Sequence, residues 1–137
     1  MDHLRQEVSL TETVWDAQAV LDLSALKDDV GLDWYRGEVK AGRLAVYGAH
    51  LGRQRVGTVL LRYEQLDKGR EMVIVAAAGY SRADLVALFL PRLETIARLY
   101  GCRSVRFHTV RAGLVRKAQR RGYAPVDIVL RKVVDGR

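Results

Sequence analysis

The chain has 137 residues, 49% apolar and 28% charged, a composition that fits one folded domain spanning residues 1–137 and excludes a disordered or membrane-spanning chain. One Cys excludes a disulfide framework and a Cys-built zinc site, and three scattered His (His3, His50, His108) give no ligand cluster, so no metal is expected. Net charge is +7, but residues 1–33 hold eight acids against two bases, whereas the remainder holds 21 bases against eight acids.

Arg outnumbers Lys 18 to 5, and the planar Arg fork suits phosphate and carboxylate. The balance points to an anionic partner: a nucleotide cofactor, nucleic acid or an acidic protein face. A solvated Arg-rich surface offsetting an acidic head is the plainer alternative. The opening residues MDHLRQEVSL carry charge where a secretion signal needs an apolar core, and no apolar run nears the ~18 residues of a spanning helix. The expectation is a cytoplasmic protein, or one carried in a virion, with no membrane partner.

In chain order, residues 3–10 read as a short strand. Residues 13–30 carry Val14, Trp15, Val20, Leu21, Leu23 and Leu26, which suit one or two short helices, with Thr11 or Thr13 as cap. Gly31 and Gly37 bracket an irregular join that contains Trp34 and Tyr35. Residues 43–50 and 55–64 alternate as strands do, and the LGRQ between them makes a hairpin. LDKG is a further turn, and 70–78 (REMVIVAAA) is apolar on both faces from Met72, as a central strand is.

Ser81-Arg82-Ala83-Asp84 fits a capping box with Asp in place of Glu or Gln. Leu85, Leu88, Phe89, Ile96 and Leu99 then recur at helical spacing, and Gly101 stops the helix. Pro91 inside it should kink or split it. Residues 102–109 (CRSVRFHT) form a strand with Val105 and Phe107 inward and Arg106 and His108 outward. Residues 111–121 form a short basic helix ending at Gly122, and 126–134 (VDIVLRKVV) reads as a last strand. The strand-helix-strand step from 70 to 109 implies a parallel pair with a right-handed crossover, and the hairpins imply antiparallel pairing. The predicted architecture is an α/β domain: a mixed, mostly antiparallel sheet with a central parallel pair and helices on both faces.

Several side chains carry chemistry. Ser81 and Arg82 stand at a helix N-terminus, where free N–H groups can hold phosphate. His108 has a suitable intrinsic pKa for a general base, or is an exposed residue at a strand end. Tyr80 and Tyr123 can donate a proton or pack as aromatics. Glu71 can act as a base through water, or flank its strand as a solvated charge. Arg106, Arg111, Arg116 and Arg120 head a basic run that forms a patch for phosphate or nucleic acid, or a solvated helix face.

The strand EMVIVAAAG (71–79), the helix through LPRLETIARLYG (90–101), the strand CRSVRFHT (102–109) and the closing RAGLVRKAQRRGYAPVDIVLRKVV (111–134) together resemble the GNAT superfamily of acyl-CoA-dependent N-acyltransferases. Gly122-Tyr123 sits where that family often has Gly-Phe. The resemblance implies acetyl-CoA or another acyl-CoA as cofactor and an amine acceptor on a protein, a small molecule or nucleic acid. It implies that the strands ending near Gly79 and Thr109 splay apart around the pantetheine arm, with Ala77, Ala78, Gly79, Ser81 and Arg82 on the cofactor side. Two departures stand out. The place of the family's pyrophosphate loop, Q/R-x-x-G-x-G/A, holds Ala76-Ala77-Ala78-Gly79-Tyr80-Ser81-Arg82, which does not fit that pattern. The position of the family's general-acid Tyr holds Ala118.

Three functions follow from the sequence. One is acyl transfer to an amine. Another is a GNAT-like fold that serves as an interaction component of a larger assembly, since the compact, Arg-rich, motif-poor chain also resembles small proteins of tailed phages. The third is nucleic-acid contact or DNA modification through the basic patch.

Overall fold

In the computed structural model, residues 7–26, 30–109 and 111–136 are described. Strand β1 (Val8–Thr13) lies later than the expected 3–10, and residues 3–6 of that expectation fall outside the described residues. Thr11 and Thr13 belong to this strand, so neither caps the helix α1 (Ala17–Leu23). Asp16 does so instead: its Oδ1 accepts the Ala19 N–H at 2.8 Å.

The stretch expected to be an irregular join is a second helix, α2 (Leu32–Lys40). Leu32, Tyr35 and Val39 share one stripe at helical spacing and pack into the core, with Tyr35 buried. Asp33 in the first turn and Lys40 in the last suit the helix dipole. Gly31 and Gly37 obscure this pattern in the sequence, because glycine reads as a breaker wherever no neighbour can be seen.

Strands β2 (Ala45–Leu51) and β3 (Gln54–Leu66) form the expected hairpin, with Gly52 at φ 59 in its turn. Strand β4 (Gly69–Gly79) follows, then helix α3 (Leu85–Leu99), strand β5 (Cys102–Phe107) and helix α4 (Ala112–Arg120). The sheet order is β1-β2-β3-β4-β5, antiparallel except for the parallel β4–β5 pair. One face packs Val46, Leu60 and Ala76 against Ala19 and Leu23 of α1 and Tyr35 of α2. The other packs Tyr47, Val59, Leu61 and Met72 against Leu93 and Ala97 of α3. The alternation of strand residues between the two layers is the period-2 rule at work. Helices therefore cover both faces.

Pro91 neither splits α3 nor ends it. It removes one backbone donor, while Phe89, Leu90, Leu93 and Ala97, all buried, clamp both sides of the gap to the sheet. Residues 126–134 correct the sequence reading more sharply. They form no strand, and every side chain from 124 to 136 is exposed. Alternation identifies a face fit for burial but not the edge that will pair with it. Among the described residues the parallel pair therefore stands at one border of the sheet, not at its centre.

Candidate active site

The β4–β5 ladder ends at the pair Ile74↔Phe107, while β4 runs on to Gly79 beside β3. From Val75 to Gly79 the edge of β4 that faces β5 has no described strand beside it. A register shift in β3–β4 pairs Leu60 with Ala76 and Leu61 with Ile74, which leaves Val75 as a bulge. The β4–β5 ladder thus stops five residues short of Gly79, next to the bulge at Val75.

The small residues at the end of β4 have separate roles. Ala76 is buried and Ala78 packs on the α1/α2 layer, while Ala77 and Gly79 are exposed. Gly79 pairs with Gly57 of β3. A Cβ at Gly57 would come within 2.8 Å of the Ala78 carbonyl oxygen, and one at Gly79 would run into the Val56 carbonyl oxygen and meet Leu85 of α3 at 3.0 Å. These glycines let two strands and a helix approach closely.

The loop into α3 departs from the capping box read in the sequence. Ser81 Oγ accepts the Ala83 N–H at 3.1 Å, and the helix is capped by Asp84, whose Oδ1 accepts the Ala87 N–H at 3.2 Å. The competing signal was local: Ser and Asp are both good caps, and the helix starts at the later one. Lys117 of α4 reaches the same Asp84 oxygen at 3.3 Å. The Ala87 N–H, and then Lys117, hold the Asp84 carboxyl below its ordinary range. A carboxylate with its own counter-cation thus sits at the end of α3, where sequence reasoning placed a phosphate. Arg82 is exposed beside it.

Tyr123 lies where the β4–β5 ladder ends. Its ring packs on Phe107 with centroids 5.6 Å apart, and its hydroxyl donates to Glu94 Oε2 of α3 at 2.8 Å. Burial, and then the Glu94 carboxylate, push its pKa well above the ordinary phenol value, so it stays protonated at neutral pH. Glu94 was not foreseen, because its distance from Tyr123 in sequence hides the contact. Tyr80 is 92% exposed just past β4, and His108 is exposed just past β5. Ala118, at the position of the family's tyrosine, is buried.

The basic run is divided. Arg106 is half-buried and bound by two carboxylates: its Nη2 lies 2.9 Å from Glu64 and its Nε 3.4 Å from Glu71. Glu64 also meets Arg62 at 2.8 Å, and Ser104 Oγ donates to Glu71 at 2.8 Å. Burial alone would raise the Glu64 carboxyl, but Arg62 and Arg106 outweigh it and hold it below its usual range. Glu71 is buried in this network, not a solvated flank of its strand. Arg111, Arg116 and Arg120 remain exposed on or beside α4.

A second polar network was also missed. Thr58, fully buried on β3, donates to Asp22 at 2.7 Å and accepts from Arg55 at 2.9 Å, and Arg55 pairs with Asp16 at 2.6 Å. It pins α1 to the sheet beside a groove of about 610 Å³ between α1 and α2, lined by Trp15, Asp16, Val20, Leu32, Arg36 and Lys40 among others. No group of three metal-ligating side chains occurs among the described residues, and among them no helix is long and apolar enough to cross a membrane.

Among the described residues, the five-stranded mixed sheet with its parallel β4–β5 pair and four helices match the GNAT fold of solved acetyltransferases. A ribosomal-protein-alanine N-acetyltransferase from Brucella melitensis biovar Abortus 2308 superposes with a TM-score of 0.65 at 17% identity, over 93% of this chain and 99% of its own. A predicted acetyltransferase with acetyl-CoA from Clostridium acetobutylicum gives 0.63 at 14%, over 93% and 97%. A transcriptional regulator from Bacillus halodurans C-125 gives 0.69 at 14%, over 93% and 99%. No protein-family profile and no curated sequence matches the chain. At these identities what is shared is the fold, and one fold hosts many functions.

Proposed function

We propose that the chain is an acyl-CoA-dependent N-acyltransferase of GNAT type. The observation that carries this reading is that β5 ends at the pair Ile74↔Phe107 while β4 runs on to Gly79, with Tyr123 packed on Phe107 where the ladder stops. The open edge from Val75 to Gly79 fits an extended arm that needs backbone partners, and the exposed Ala77 and Gly79 leave room for it. When bound, the acyl-CoA supplies a carbonyl activated as a thioester.

The protein's own contribution is modest, as positioning and polarisation suffice for this chemistry. Backbone N–H groups at the Val75 bulge would polarise the acyl carbonyl. Tyr123 holds a proton at the leaving side, and its raised pKa keeps that proton in place at neutral pH. Attack forms a C–N bond and breaks the C–S bond. Tyr123 would supply the proton that the leaving thiolate needs, and solvent would carry the proton lost by the amine nitrogen back to the tyrosine. Arg82, exposed in the loop before α3, and Lys117, paired with Asp84, would be the cations offered to the diphosphate.

One observation favours a second reading, a GNAT fold that binds no acyl-CoA and serves as an interaction component of a larger assembly. The carboxylate of Asp84 already occupies the α3 N-terminus and carries Lys117 as its counter-ion. Heat unfolding with millimolar acetyl-CoA separates the two. A ligand at a hundredfold excess over its dissociation constant stabilises by about 2.7 kcal/mol, so the transferase reading requires a clear upward shift and release of thiol when an amine is added. An unchanged melting temperature would leave the second reading.

A further inference from the structure

At the start of β4 the chain turns from β3 through Asp67 and Lys68. A groove of about 220 Å³ opens at this turn, lined by Leu66, Lys68, Gly69, Arg70, Arg103 and Ser104. The lining holds cations and no acid. Asp67 stays out of it, and the nearby Glu71 is held by Ser104 and Arg106. Among the described residues no ion pair involves Lys68, Arg70 or Arg103. Elsewhere arginines bring their own carboxylates, as Arg55 has Asp16 and Arg62 has Glu64.

Two backbone irregularities meet at this groove. A register slip between Arg70 and Glu71 leaves Arg103 as an extra residue of β5, and a bulge re-aims its side chain. Gly69 stands at φ 131, and a Cβ there would run into Arg103 Cδ and lie 2.9 Å from its Cγ. Arg103 therefore lies across the turn on a seat that glycine leaves open, and its Nη1 donates to the Lys68 carbonyl. Arg70 is fixed as well: its Nη1 donates to the Tyr100 carbonyl at 3.0 Å, and its guanidinium lies 4.6 Å from the centre of the Tyr63 ring. A guanidinium has five N–H donors, so both keep donors to spare.

We propose that this groove binds a phosphate dianion, either free or as the terminal group of a small phosphorylated ligand. Two guanidinium forks and one ammonium suit its oxygens, and the forks are held in place before the ligand arrives, which lowers the ordering cost of binding. Pockets for drug-sized ligands run to about 300–1,000 Å³. The smaller volume here suits a phosphate group better than a whole nucleotide. A bound phosphate joins the β3–β4 turn to β5 through Lys68 and Arg103, and reaches the end of α3 through Arg70. Gly69 and Gly79 stand at opposite ends of β4, roughly 33 Å apart at about 3.3 Å per residue. The groove is therefore remote from the place of the acyl-CoA diphosphate, and the inference does not depend on the acyltransferase reading.

The test is calorimetric titration of the full chain with inorganic phosphate and, separately, with glycerol 3-phosphate. An ionic strength of about 0.15 M screens exposed charge beyond about 8 Å. The expected result is saturable binding of one phosphate per chain. Arg103→Ala and Lys68→Ala should each weaken it at least about tenfold, the size of one lost hydrogen bond to a charged group. Both side chains are exposed, so the melting temperature without phosphate should barely move. Arg82→Ala, at the far end of β4, should bind phosphate as the wild type does. Binding of inorganic phosphate alone assigns the groove to the free ion, and binding of the ester assigns it to a phosphorylated ligand. No saturable binding of either at millimolar concentration overturns the proposal. Binding that survives both groove variants, or that is lost with Arg82→Ala, overturns it too, because the phosphate then sits elsewhere.

Discussion

The Tyr123 hydroxyl donates to Glu94 across the gap between the closing loop and α3 at 2.8 Å, which ties the mouth of the divided ladder to the helix that covers it. Tyr123→Phe keeps the ring on Phe107 and removes only the proton. On the transferase reading kcat should fall roughly a hundredfold with KM nearly unchanged, the size of a lost general acid. Stability should drop by roughly 1 kcal/mol, since Glu94 can turn to water. Thiol release from acetyl-CoA with an amine, read beside the melting temperature, separates the two effects.

Asp84 offers a second test. Asp84→Ser retains an oxygen for the Ala87 N–H but removes the charge from the α3 N-terminus. The cap should survive, so stability should change by less than about 1 kcal/mol. Affinity for coenzyme A should rise, because a helix N-terminus without its own anion accepts one. Calorimetric titration of both proteins with coenzyme A reads this directly. Equal or weaker binding by the variant would show that Asp84 does not oppose the diphosphate.

The facing glycines predict a contrast. Gly79→Ala pushes a methyl against the Val56 carbonyl and Leu85, and overpacking of this kind costs about 1–3 kcal/mol. Gly37→Ala, inside α2 with open space around it, should stabilise by about 0.5–1 kcal/mol. Denaturant midpoints for the two variants should move in opposite directions.

Acid should unfold the protein through named carboxylates. For Asp16, burial raises the pKa, but the Arg55 hydrogen bond and the Ala19 N–H outweigh it and leave it below 3.8. Glu64 is likewise held below 4.5 and Asp84 below 3.8. Each group therefore binds a proton less readily folded than unfolded. Its stabilisation is fully present above the unfolded value and is lost as pH falls through the lowered one. The melting temperature should fall below about pH 4.5, and Asp16→Asn should flatten that limb while lowering the plateau at neutral pH.

Periodic segments were legible in the sequence. The strands β2 to β5, the helices α3 and α4 and the parallel crossover follow from alternation, helical spacing and Gly stops. Other features were not legible, for separate physical reasons. α2 was hidden because Gly37 reads as a breaker, although Leu32, Tyr35 and Val39 already mark its buried stripe. The start of α3 was misplaced because Ser81 and Asp84 compete locally for the same capping role. The Arg55–Thr58–Asp22 and Arg106–Glu64–Glu71 networks depend on which strands are neighbours, and charge counting reads their members as solvent-facing. Of the candidate site, Tyr123 and the β4 wall were visible. The bulge at Val75 was not, because a one-residue slip in a ladder leaves no mark on alternation in Ala-rich sequence.

Pro91 has a consequence for motion. With no amide hydrogen there, the Ala87 carbonyl goes without its intrahelical donor, and water can serve it because Ala87 is exposed. The first turn and a half of α3 is therefore joined to the rest of the helix by one bond fewer than usual. That stretch, which carries Leu85 over the Gly79 end of β4, can fray while the later turns stay seated on the sheet, so breathing of the molecule starts at the end where β4 and β5 are already apart.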